Sequence, residues 1–188
     1  MLYTRKGDDG KTKTFGCDQR ISKSSAVAEA LGSLDEVNSF LGIIKTNKEA
    51  TLIRVGDMKS SAPRSLDEII HRIQENLFII QAEVAGAGKS IDKSKVKEVE
   101  SIVTEIKKVL PPIKSFFISG GTSVAAALDF GRTLARRAER RVVAVAEEGL
   151  QKIDPQTLAY LNRLSSLLYA LARLSNHKSG IEEKSPSY

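Results

Sequence analysis

The sequence predicts an all-α fold: a five-helix antiparallel bundle, ferritin-like in its up-and-down course, with an extended N-terminal arm. Three observations predict it. Apolar residues recur at steps of three and four over five long segments. Helix caps and breakers fall at the ends of those segments. Almost no stretch alternates apolar and polar residues as a half-buried strand would. The 188 residues, 41% hydrophobic and 28% charged, suit one globular domain. At this length roughly 70% of the unfolded surface is buried on folding, so neither a disulfide nor a metal is needed to hold the core.

Residues 1–25, rich in Gly, Lys, Thr and Asp, form the arm. From Ala26 to Lys45 the residues Val27, Ala30, Leu31, Leu34, Val37, Leu41 and Ile44 share one helix face. The polar stretch Thr46 to Ser65, with Gly56 and Pro63, reads as a loop or a short frayed segment. Ser65, with Glu68 three residues on, is a capping-box start for the second helix. Its apolar face is Leu66, Ile69, Ile70, Ile73, Leu77, Ile80 and Val84, and Gly86 and Gly88 end it. The third helix runs from about Asp92 to Val109 through Val96, Val99, Ile102, Val103 and Ile106, and Pro111-Pro112 stop it. After the insert IKSFFISGGTS, Thr122 or Ser123 caps a fourth helix reaching about Glu148, with Gly149 as terminator. Asp154-Pro155 open the fifth, which ends near His177. Residues 178–188 read as a mobile tail, so the expected division is arm, bundle over 26–177, and tail within one domain.

The balance of 29 Lys and Arg against 23 Asp and Glu gives a formal charge of +6. That excess favours anionic partners such as nucleotides, polyphosphates or nucleic acid without choosing among them. With four tyrosines, six phenylalanines and no tryptophan, a base-stacking platform is poorly supplied, and no nucleic-acid partner is expected. The one cysteine, Cys17, excludes an intrachain disulfide. The longest apolar run, Val142 to Ala146, is far too short to span a bilayer, and MLYTRKGDDG has no apolar signal core. The expectation is a cytoplasmic protein with no membrane partner.

The segment DFGRTLARRAERR, Asp129 to Arg141, is the most informative. With Arg132 as the zero of a helical wheel, Arg136 lies at about 40°, Arg140 at about 80°, Glu139 at about −20° and Asp129 at about 60°. The apolar Val124, Leu134, Ala135, Ala138, Val142 and Val145 fill an arc from about 200° to 300°. Guanidinium groups chelate phosphate oxygens two at a time and keep their charge, which suits a polyphosphate clamp. A solvated face with i,i+4 ion pairs would produce a similar stripe, but five arginines without a lysine within ten residues speak against mere solubility. YTRKGDDGKT offers glycines for close backbone approach to an anion, with lysine and threonine to finish the contact, although the spacing is not that of a Walker A loop. Phe116 to Thr122 joins an apolar wall to a glycine turn and a helix start. On the fifth helix Asn162, Ser166, Tyr169 and Arg173 line one polar edge opposite Leu161, Leu164, Leu168 and Leu171. Asp35 sits at the rim of its helix's apolar arc, where an unpaired carboxylate is costly, so a cationic partner is expected. Glu68 and His71 have the spacing of a di-iron motif but lack its second copy, since Leu174 stands where the acid before His177 would be, and no protein-held metal site is expected. No constellation supports a protein nucleophile.

YTRKGDDGKT, EALGSLDEVNSFLG, FISGGTSVAAALDFGRTLARRAERR and YLNRLSSLLYALAR, in this order, resemble the ATP:cob(I)alamin adenosyltransferases of the PduO type over nearly the whole chain. The resemblance implies a homotrimer with ATP bound between neighbouring subunits and Mg²⁺ on its phosphates. It implies transfer of the 5′-deoxyadenosyl group to the cobalt of cob(I)alamin or a related corrinoid, with release of triphosphate. Carried over by motif, Thr4, Arg5, Lys6, Gly7, Asp8, Thr12, Lys13 and Lys23 would wrap the nucleotide. Arg136, Arg137, Glu139 and Arg140 would supply its RRAER contacts, and Asn162 the adenosine-side contact. Asp35 and Arg132 would form an inter-subunit ion pair shaping the site, and with Arg136 would carry catalysis. Phe116 would cover the lower face of the corrin, excluding water and the lower axial ligand. Lys6 stands where the family has a second threonine, and Thr51 to Pro63 has no matching feature. A flavoprotein reductase and a cobalamin-dependent enzyme are the implied partners. Two other classes compatible with the residues are a nucleotide-binding bundle that acts as a sensor and a basic helical nucleic-acid binder.

Overall fold

The computed structural model describes residues 3, 5–14, 20–56 and 63–187. Five helices carry the fold: α1 (Ala26–Lys45), α2 (Leu66–Val84), α3 (Lys93–Val109), α4 (Ser123–Glu147) and α5 (Pro155–Lys178). Each begins where a side chain can satisfy the free N–H groups of a first turn. Ser25 Oγ accepts from the Ala28 N–H at 3.3 Å, and Asp92 Oδ1 accepts from Ser94 N–H at 2.7 Å. Thr122, not Ser123, caps α4, its Oγ1 accepting from Ala125 N–H at 3.0 Å. Asp154 Oδ1 accepts from Gln156 N–H at 2.7 Å, and Pro155 occupies the first helical position. Glu68, whose spacing to His71 suggested a metal motif, is spent on the start of α2, accepting the Ser65 N–H at 2.8 Å.

The predicted apolar faces meet in one core, with Leu34, Leu41, Leu77, Ile80, Leu128, Val142, Leu164 and Leu168 among its fully buried members. α4 packs along both α5 and α1, α3 lies on α5, and α2 on α1. Several polar groups inside are paired, although Asn38 Oδ1 is buried without a hydrogen-bond partner among the described residues. Glu83 accepts from the Asp154 N–H at 2.6 Å and the Thr157 hydroxyl at 2.5 Å, tying the end of α2 to the start of α5. Burial pushes the Tyr160 phenol well above its usual range, so it stays neutral and accepts from Asn76 Nδ2 at 3.1 Å.

Three segments differ from expectation. The arm is a β-hairpin: β1 (Lys11–Lys13) pairs antiparallel with β2 (Arg20–Ser22), Thr12 opposite Ile21, and Ile21 packs on the bundle core. The stretch read as a loop holds a 3-10 helix (Lys48–Leu52) and a short antiparallel ladder of β3 (Arg54–Val55) with β4 (Arg64–Ser65). Ala50, Ile53 and Val55 from it are buried, which is why it folds back rather than fraying. The segment expected to be a mobile tail is docked. Ile118 N–H donates to the Lys184 carbonyl at 2.8 Å, and the Arg173 guanidinium pairs with Glu183 at 2.8 Å.

Candidate active site

Where α4 and α5 diverge, the α3–α4 loop (113–120) and the C-terminal segment enclose a cavity of about 630 Å³. Its size and mixed lining are those of a small-molecule site. One wall is apolar, made of Phe116, Phe117 and Ile118, and Phe116 is 82% exposed. The rest of the lining includes Arg132 and Arg136 from α4 and Tyr169 and Arg173 from α5.

The loop holds its shape because the end of α5 grips it. Asn176 Oδ1 accepts the Thr122 N–H at 3.0 Å, and its Nδ2 donates to the Gly120 carbonyl at 3.1 Å. The Thr122 and Ser175 hydroxyls lie 2.8 Å apart. Gly121 has a φ of +96°, and a Cβ there would collide with the Asn176 carboxamide, so glycine is required on both counts.

The arginines of α4 fall into two kinds. Arg132 is partly buried and its Nε donates to Asp129 Oδ1 at 2.5 Å. Burial raises the Asp129 carboxyl pKa, but hydrogen bonds from Arg132 and Ser119 and the Arg132 charge outweigh it, leaving the group below the usual carboxylate range. Arg136 and Arg140 are exposed and, among the described residues, have no hydrogen-bond or ion-pair partner. Arg137 is spent on an ion pair with Glu36 of α1. Glu139 Oε1 accepts from Asn162 Nδ2 at 2.9 Å, and Asn162 Oδ1 accepts from Arg163 at 2.7 Å, so these two expected contacts share one chain of hydrogen bonds. Burial also pushes the Tyr169 phenol upward.

Of the residues expected at the site, Arg137, Glu139, Arg140 and Asn162 do not line the cavity, and the described arm residues and Asp35 lie elsewhere. In the arm, Lys23 Nζ donates to the Gly7 carbonyl at 2.8 Å, and Arg20 binds Asp9 at 2.8 Å, the Lys11 carbonyl at 3.0 Å and the Lys6 carbonyl. These contacts bend residues 5–10 into a compact turn beside the hairpin, with Arg5 at a φ of 58°. Arg5, Lys6, Gly7, Asp8, Thr12, Lys13 and Lys23 are therefore grouped, but none of them lines the cavity. Thr4 and Cys17 lie outside the described residues. Asp35 is exposed on the α1–α2 side beside Phe78 and has no ion pair among the described residues. Within one chain, Arg132 is paired to Asp129 instead. Among the described residues no cation pairs with Asp35, and exposure removes the cost that motivated the expectation.

Sequence reasoning missed the importance of Arg173, assigned there to a polar edge: it is 4% exposed. The signal was present, since Leu171, Ala172 and Leu174 flank it and are themselves buried. Among the described residues no group of three or more His, Cys, Asp or Glu side chains is placed to hold a metal ion, and no helix is long and apolar enough to cross a membrane.

In this helical bundle Arg136, without a partner among the described residues, shares one cavity with the aromatic side chains of Phe116 and Phe117, which makes that cavity a candidate small-molecule site. The chain belongs to the cobalamin adenosyltransferase family, whose model matches residues 2–175. It is 36% identical over 183 residues to the corrinoid adenosyltransferase PduO of Citrobacter freundii, covering 94% of this chain and 50% of that one. It is 34% identical over 186 residues to a corrinoid adenosyltransferase of Bacillus subtilis, covering 96% and 89%. The chain thus spans about half the length of the Citrobacter relative and most of the Bacillus one. A variant PduO-type ATP:corrinoid adenosyltransferase from Lactobacillus reuteri, solved in complex with cobalamin and ATP, superposes with a TM-score of 0.86 at 28% identity, covering 99% of this chain and 96% of that one.

Proposed function

We propose that this chain transfers the 5′-deoxyadenosyl group of ATP to the cobalt of a reduced corrinoid such as cob(I)alamin, releasing triphosphate. The observation that carries the reading is the pairing, in one cavity, of Arg136, which has no counter-ion among the described residues, with the aromatic wall of Phe116 and Phe117.

The chemistry follows from those surfaces. Reduced cobalt is itself the nucleophile, so the protein supplies none. Its attack on C5′ forms the Co–C bond and breaks the C5′–O bond, whose electron pair leaves with the triphosphate. The chain's task is to align the two reactants and to neutralise the departing charge. Arg136 and Arg140 are assigned the triphosphate because their guanidinium groups are uncommitted. Arg132, oriented by Asp129, holds the junction between the nucleotide and the loop. Glu139 and Asn162, already hydrogen-bonded to each other, are assigned the adenosine. Phe116 is assigned the corrin face, where its ring keeps water from the cobalt. The residues present fit a Mg²⁺ that rides on the phosphates, as this ion commonly does, since the described residues offer no cage for it.

The arm residues Arg5, Lys6, Gly7, Asp8, Thr12, Lys13 and Lys23 do not line this cavity in their own chain, and we assign them, with Thr4, to the nucleotide of a neighbouring subunit. We therefore assign a homotrimer with shared sites, in which the exposed Asp35 meets a neighbour's cation. ATP as co-substrate argues for the cytoplasm, a flavoprotein reductase as electron source and a cobalamin-dependent enzyme as consumer. Anaerobic incubation with ATP and chemically reduced cobalamin tests the reading: the absorbance of a Co–C product is expected, and a folded, ATP-binding protein that forms none overturns it in favour of a nucleotide sensor.

A further inference from the structure

The end of α5 carries a buried cation that the proposed reaction does not use. Arg173 joins three separate pieces of chain. Its Nε donates to Glu183 Oε2 at 2.8 Å in the C-terminal segment. Its guanidinium lies 4.8 Å from the centroid of the Phe117 ring. Its Nη2 reaches toward the Pro111 carbonyl at 3.5 Å, where the loop leaves α3. Glu183 is itself largely buried, and beside it the Ile118–Lys184 hydrogen bond and a 2.6 Å contact between the Ser115 and Ser185 hydroxyls hold the segment against the loop.

A buried ion pair is a poor way to gain stability, since an apolar pair of equal volume commonly does as well or better. What it adds here is geometry. A planar guanidinium can accept a ring against its face while its edge meets a carboxylate. Arg173 has one neighbour of each kind, from two different segments. The two halves of the loop are also held differently. Asn176 grips residues 120–122, whereas residues 115–118, which include Phe116, are held by Arg173 and the C-terminal segment.

We propose that Arg173 is a positioning residue: latched by Glu183, it is the post against which Phe117 stacks, and it thereby sets where Phe116 stands on the cavity wall. The proposal rests on the corrinoid reading of that wall. It requires that loss of the latch affect the corrinoid and spare the nucleotide, because Arg136, Arg140, Glu139 and Asn162 have no contact with it.

The test uses the full chain with Glu183→Gln, which removes the charge and keeps the shape, beside Arg173→Lys and Arg173→Met. Steady-state KM values for corrinoid and for ATP are measured with hydrogen exchange at the Ile118 amide. For Glu183→Gln the corrinoid KM should rise on the order of tenfold while the ATP KM stays within about twofold, and Ile118 protection should fall. Arg173→Lys keeps the charge without the flat face and should fall between wild type and Arg173→Met. A corrinoid KM that does not move in Glu183→Gln despite lost Ile118 protection overturns the proposal, as does a parallel rise of both KM values, which is what general loosening produces. If Arg173→Met fails to fold, Glu183→Gln alone decides. Wild-type protein that forms no Co–C bond overturns the functional reading itself, and the proposal falls with it.

Discussion

The two ends of the cavity use the same side chain in opposite ways. At the inner end Arg173 and Arg132 are buried or partly buried, and each is matched to a carboxylate, Glu183 or Asp129. At the outer end Arg136 is exposed and uncommitted among the described residues, as is Arg140 one turn further along α4, which does not line the cavity. A guanidinium already neutralised by its own chain organises structure, whereas one left without a counter-ion is available to a ligand that brings negative charge. The difference teaches that the arginine-rich stripe is not a single clamp. It divides into members that build the cavity and members that wait for its contents.

Substitutions at the two ends should therefore fail differently. The largest effect is expected for Arg136→Ala: kcat/KM should fall by on the order of 10²–10³, as when one donor to developing charge is removed, while thermal unfolding moves little. A similar loss of activity with a collapsed melting temperature would place Arg136 with the structural arginines. Next comes Arg173→Met, expected to lower stability by about 2 kcal/mol in chemical unfolding, less than for a fully enclosed pair because Glu183 can turn to solvent. An unchanged unfolding midpoint would contradict its assignment to the inner end.

Phe116→Ala should cost under about 0.5 kcal/mol of stability, since the ring is already in water, and should weaken corrinoid use without changing ATP binding, as read by calorimetry. Asp129→Asn gives a smaller effect with a defined pH dependence. Because the folded carboxyl lies below its ordinary value, its stabilising contribution is present at neutral pH, above the unfolded pKa, and is lost as pH falls through the folded one. The melting-temperature gap between wild type and Asp129→Asn should therefore be widest near neutrality and close in acid. A gap that widens on acidification reverses the assignment. The smallest effect belongs to Glu36→Gln, whose exposed pair with Arg137 should contribute at most about 1 kcal/mol.

Much of the fold was legible because each helix announces itself twice, by its apolar face and by its caps: Ser25, Ser65, Asp92 and Asp154 all stand where the helices begin. The site was legible in part. Arg132, Arg136 and Phe116 do line one cavity, and Glu139 and Asn162 do meet. What could not be read were contacts between residues far apart in the chain that leave no periodic trace. Arg173 with Glu183 and Phe117, and Ile118 with Lys184, depend on how a loop and a terminal segment lie together. A helical wheel places Arg173 on a polar edge because it does not know that another segment covers that edge. The same limit applies to Asp35, which a wheel sets at the rim of an apolar arc and the folded chain leaves exposed.

The most direct measurement is a crystal structure of the full chain grown with ATP. The account predicts the triphosphate on the Arg136 guanidinium, with the glycine turn of a neighbouring subunit's arm closing over it and the Arg132–Asp129 pair intact. A nucleotide bound away from the α4–α5 cavity, with Arg136 still surrounded by water, would contradict it.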